Sequence, residues 1–67
     1  MAIRLTNSLY HCYYTNHRLG KTERVVTERL SDVADGFWVN EEYNFTKGSD
    51  CKFWIPASVI QYVEKVV

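Results

Sequence analysis

A chain of 67 residues makes one domain at most, with a thin core, since a domain this small buries only about 60% of its unfolded surface. Its composition, 46% hydrophobic, 24% charged and 15% aromatic, is that of a folded protein and argues against disorder. Eight basic residues balance eight acidic ones, which excludes a strongly basic nucleic-acid footprint in the total.

Three glycines and one proline punctuate the chain. Gly20, Gly36 and Gly48 each sit in a polar cluster between apolar or β-branched runs and read as turns. The first run, residues 9–14, is Leu-Tyr-His-Cys-Tyr-Tyr, aromatic and extended in character. The second, residues 22–30, holds Val25, Val26 and Thr27. In the third, residues 37–45, Phe37, Val39, Tyr43 and Phe45 share a parity, as on a half-buried strand, which leaves Trp38 on the outer face. Gly48 is expected to have positive φ, in a hairpin turn to the fourth run. That run, residues 51–55, stops at Pro56 and is expected to bury Trp54 almost completely. For the tail, a 3₁₀ turn around residues 57–59 and a closing strand over 60–66 are favoured by its density of Val, Ile and Tyr. The alternative is a C-terminal helix over 59–67, since Val59, Val63 and Val66 fall at helical spacing.

Short strands with turns every 8–14 residues predict a mainly all-β chain. The expected architecture is one domain over residues 1–67: a small five-stranded barrel or a strongly curled antiparallel sheet, with the 3₁₀ turn near 56–60. Closure would remove the sheet edges. Met1-Ala2-Ile3-Arg4 meets a charge at once, so neither a secretory signal nor a spanning segment is expected. The expected setting is the cytoplasm, without membrane contact, with Cys12 and Cys51 reduced.

Residues 52–60, Lys-Phe-Trp-Ile-Pro-Ala-Ser-Val-Ile, resemble a Trp-Ile-Pro-x-Ser-x-Ile motif of small phage and prophage β-barrel proteins. The last sixteen or so residues are also similar to the end of Src-homology-3-like domains, where a Pro-Ser pair opens a 3₁₀ turn before a final strand. The resemblance implies a barrel closed by this segment. Polyproline binding is not carried over, because the loop over residues 16–21 is basic where that groove needs acids.

Catalytic and metal-binding groups are sparse. His11, Cys12, His17 and Cys51 are zinc-ligand types, but adjacent His11 and Cys12 point to opposite faces of a strand. The same geometry keeps His11 from activating Cys12 as a nucleophile. No catalytic residue, metal or cofactor is assigned, and an enzyme is not expected. Charge segregation says more. Residues 1–30 carry a net +3, residues 31–50 a net −4, and residues 51–67 a net +1. On the acidic segment, Asp32, Asp35, Glu41 and Glu42 surround Trp38 and Tyr43, an acidic rim around an aromatic centre of the kind that docks on another protein. On the basic segment, Tyr10 and Tyr14 lie among Arg18, Lys21, Arg24 and Arg29, as in barrels that bind single-stranded nucleic acid. The favoured reading is a protein-binding module, a phage- or mobile-element-encoded modulator or inhibitor of a host enzyme or defence protein. The alternatives are a nucleic-acid-binding barrel and a homodimer that buries its aromatic face on itself.

Overall fold

A computed structural model describes residues 8–66. Five strands appear in chain order: β1 (Tyr10–Asn16), β2 (Lys21–Thr27), β3 (Gly36–Val39), β4 (Phe53–Pro56) and β5 (Ile60–Lys65). A 3₁₀ turn over Leu30–Asp32 precedes β3, and a second over Ala57–Val59 separates β4 from β5. The tail is therefore turn and strand, and the alternative helix does not form. β-branched Ile60 and Val63 fit the pleated sheet better than a helix, and Pro56 holds the chain extended on entry to the turn.

β1 is the central strand of a three-stranded antiparallel sheet, flanked by β2 and β5. Its side chains alternate, and Cys12, Tyr14 and Asn16 are all buried. β3 and β4 form a separate antiparallel ribbon with Trp38 opposite Trp54. The core joins Cys12, Tyr14 and Val25 of the sheet to Phe37, Val39 and Ile55 of the ribbon, with Val33 between β2 and β3. Tyr14 meets Phe37 edge-on at 5.4 Å, and Phe37 meets Phe45 at 6.1 Å, so aromatic volume substitutes for the residues a short chain lacks.

The expected barrel is not closed. Among the described residues no ladder joins the sheet to the ribbon, because residues 28–35 leave β2 through bends and a 3₁₀ turn instead of continuing its pairing. The outer strands carry charges at Lys21, Arg24, Glu64 and Lys65, which discourage edge-to-edge association. Among the described residues no helix is long and apolar enough to cross a membrane.

The third strand is shorter than its parity suggests. Asn40 ends it: its Oδ1 accepts from the backbone N–H of Glu42 at 2.9 Å and of Asn44 at 3.0 Å. Tyr43 adopts φ 63°, and the chain doubles back so that Phe45 bridges Val39. Tyr43, not Gly48, is the left-handed residue of this connection. Gly48 has no positive φ, and a Cβ built on it meets nothing within 4 Å. Gly48→Ala should leave stability within ~0.5 kcal/mol of the parent, as read by denaturant titration.

Among the described residues, two buried side-chain polar atoms lack hydrogen-bond partners: the Tyr14 hydroxyl and Asn16 Nδ2. The Asn16 side chain stands near the Tyr14 hydroxyl but does not reach hydrogen-bond geometry. Deleting an unsatisfied buried hydroxyl removes its desolvation penalty while keeping the ring. Tyr14→Phe should therefore match or exceed the parent stability in a thermal melt, and a loss of ~2 kcal/mol or more would show that the hydroxyl is bonded.

Burial raises the pKa of the Cys12 thiol above its ordinary 9.0. Burial, reinforced by Glu23 opposite it on β2, likewise raises the Tyr14 phenol above 10.0. The unfolded chain ionises these groups at lower pH than the folded one. Their contribution to stability is therefore full below about pH 9 and is lost as pH rises toward the folded values. In denaturant titrations from about pH 7 to 11, Cys12→Ala should flatten the first part of that fall.

Candidate functional site

Strand alternation leaves two aromatic faces on the outside. On the ribbon, Phe37, Val39 and Ile55 turn inward, so Trp38 and Trp54 turn outward from directly opposed positions. Their rings lie 5.4 Å apart at 62°, and they remain 44% and 47% exposed. Trp38 is where its parity placed it. Trp54 is not: the expectation of near-complete burial fails, because Ile55 is the inward residue of β4 and the antiparallel register sets Trp54 on the face of Trp38. Trp54 also lies over Gly36, which is buried beneath its indole.

The acidic residues expected around Trp38 divide into two groups. Asp35 precedes β3, and Glu41 and Glu42 follow it, so all three stand exposed in turns at the ribbon's ends. Glu41 faces Lys52 at 3.9 Å. Asp32 is taken elsewhere. Lys47 Nζ donates to it at 2.8 Å, Thr27 Oγ1 donates at 3.3 Å, and the Lys47 hydrogen bond is the main reason its carboxyl titrates below the ordinary range. Tyr43 stacks on Phe53 at 5.2 Å and 10°. Arg18, in the β1–β2 turn, lies over the Phe53 ring at 4.1 Å. That turn is built by Asn16, whose Oδ1 accepts from the N–H of Arg18 and Leu19, with Gly20 at φ 68° closing it.

The second face is the outside of the three-stranded sheet. Tyr13 lies between Arg24 of β2 and Tyr62 of β5, and the two tyrosine rings stack at 4.6 Å and 21°. His11 lies in the next row, with Nδ1 3.9 Å from a Glu64 carboxylate oxygen. At the other end, Gln61 Nε2 donates to Thr15 and Thr22. The six residues expected to form a nucleic-acid face are not brought together. Tyr14 is fully buried, Tyr10 shares its parity, Arg18 stands apart in the β1–β2 turn over Phe53, and Arg29 lies beyond the end of β2. Lys21 and Arg24 stay exposed on β2, and the aromatics on the face of Arg24 are instead half-buried Tyr13 and, beyond it, exposed Tyr62.

Cys12 is buried and Cys51 half-buried, both as free thiols. His11 and Cys12 fall on opposite faces, His17 is exposed in the turn, and no group of three or more possible metal ligands occurs among the described residues. Compared with protein families, curated proteins and solved structures, the chain matches none.

Proposed function

We propose that the chain is a non-enzymatic protein-binding module whose anchor is the Trp38–Trp54 pair. The observation that carries this reading is that two large indoles lie side by side, each nearly half exposed, on a domain that needs apolar side chains for its core. Tryptophan in a patch of this kind is the commonest interface hot spot, and the acidic turns holding Asp35, Glu41 and Glu42 supply a polar rim. The earlier acidic-aromatic set thus contracts around Trp38, gains Trp54 and loses Asp32. The resemblance of residues 52–60 to small phage and prophage proteins supports a host enzyme or defence protein as the target, in the host cytoplasm.

A second reading rests on the Tyr13–Tyr62 stack beside Arg24, a platform of the sort that holds single-stranded nucleic acid. Its weakness is charge: Glu64 shares the face, and a neutral domain would neutralise few phosphates. Affinity capture from nuclease-treated lysate of the source cells, at ~150 mM salt, separates the two. The module should retain a protein in stoichiometric amount, lose it with Trp38→Ala and keep it with Tyr13→Ala. Loss on nuclease treatment, or on Tyr13→Ala alone, would favour the second reading.

A further inference from the structure

A groove of about 170 Å³ runs between the β1–β2 turn and the β4 segment. Tyr43, Phe53, Trp54 and Pro56 form its apolar walls, and His17 and Arg18 stand on its rim. That volume takes one side chain the size of a benzene ring, by comparison with the ~150 Å³ cavities known to do so.

Its charge is one-sided. Among the described residues no acidic side chain lines the groove, and no carboxylate pairs with Arg18. The guanidinium instead lies on the Phe53 ring, which is itself stacked on Tyr43. A guanidinium over an aromatic face keeps its full charge and loses little side-chain freedom on binding, and its N–H donors form a planar edge. That edge matches a carboxylate.

We propose that this groove binds an extended peptide segment in which an apolar side chain, seated against Phe53 and Trp54, is flanked by an acidic residue that pairs with Arg18. The inference rests on the protein-docking reading and adds the chemistry of the partner. A nucleic-acid strand fits less well, because a phosphate run would leave the single rim cation Arg18 and meet Glu41 and Glu42 in the turn before Tyr43. An arginine-bearing proline-rich segment would meet like charge at Arg18.

The test is a nuclear magnetic resonance titration of the full chain at low salt with four probes: short capped peptides carrying Phe between two Glu, Phe between two Lys, or a proline run with Arg, and a thymidine octanucleotide. The acidic peptide should bind at least about fivefold more tightly than the others and shift the Trp54 indole and Tyr43 signals. Arg18→Glu should abolish or reverse the preference, and Arg18→Gln should fall between. Arg18 is exposed in a turn, so neither variant threatens the core. Equal or tighter binding of any other probe, a preference that survives Arg18→Glu, shifts remote from the groove, or no shift with any probe would each overturn the proposal. Trp38 does not line the groove, so Trp38-dependent capture can survive such a failure, and the two readings fail separately.

Discussion

Gly36→Ala should largely unfold the protein. Gly36 opens β3 at φ 110°, outside the range that L-residues adopt readily. Space is the second objection. A Cβ there would stand 2.5 Å from Trp54 Cζ2 and 2.7 Å from the Ile55 carbonyl oxygen. Rotation can displace the indole, but the carbonyl belongs to the strand paired with β3, so relieving it means opening the ribbon. Strained backbone of this kind costs about 1–3 kcal/mol and overpacking a similar amount, so ~3 kcal/mol or more is expected in sum. A domain of this size holds about 3–5 kcal/mol in total. Gly20→Ala is the control. It carries φ 68° with nothing within 4 Å of the new Cβ, and should cost only ~1 kcal/mol. Thermal melts followed by circular dichroism check both. A Gly36→Ala melt within a few degrees of the parent would mean that Trp54 does not lie over that glycine.

Trp38→Ala should leave the fold standing and weaken partner binding by ~2 kcal/mol or more, about thirtyfold in Kd. The side chain is 44% exposed, and its inward neighbours Phe37 and Val39 carry the core contacts of β3. Trp54→Ala should behave alike in binding. Its structural cost should stay well below the ~3–5 kcal/mol of a buried tryptophan, because about half of the ring is already in water. Calorimetric titration with the captured partner, beside a melt of each variant, distinguishes the outcomes. Trp38→Ala that unfolds the chain would remove the outward phase of β3 and the docking face with it.

Local chemistry made most of the architecture readable. Tyr, Val and Thr runs bounded by Gly20 and Pro56 predict five strands, of which the third ends early at Val39, and the 3₁₀ turn over Ala57–Val59 and the strand after it follow from Pro56 and the β-branched tail. The phase of β3 was legible because Phe37 and Val39 bracket one Trp and a turn follows. The phase of β4 was not. Phe53, Trp54 and Ile55 are all apolar, so a period of two has nothing to alternate against. Only the pairing of Trp38 with Trp54 settles it, and thirteen residues of connection, 40–52, hide that register. The reversal at Asn40, with Tyr43 left-handed, depends on side-chain-to-backbone bonds that a polar cluster permits but does not demand. Closure failed as an expectation because it depends on how residues 28–35 are spent, a tertiary matter. Arg18 on Phe53 joins positions far apart in the chain and has no local signature.

The central claim is that the Trp38–Trp54 face is where another protein docks. Hydrogen–deuterium exchange of the chain, free and saturated with the protein it captures, tests this most directly. The account predicts slowed exchange across β3 and β4, at residues 36–39 and 53–56, with the outer face of β1, β2 and β5 unchanged. Protection confined to residues 11–15, 22–26 and 61–64, with the ribbon exchanging as in the free chain, would contradict it and move the site to the Tyr13–Tyr62 face.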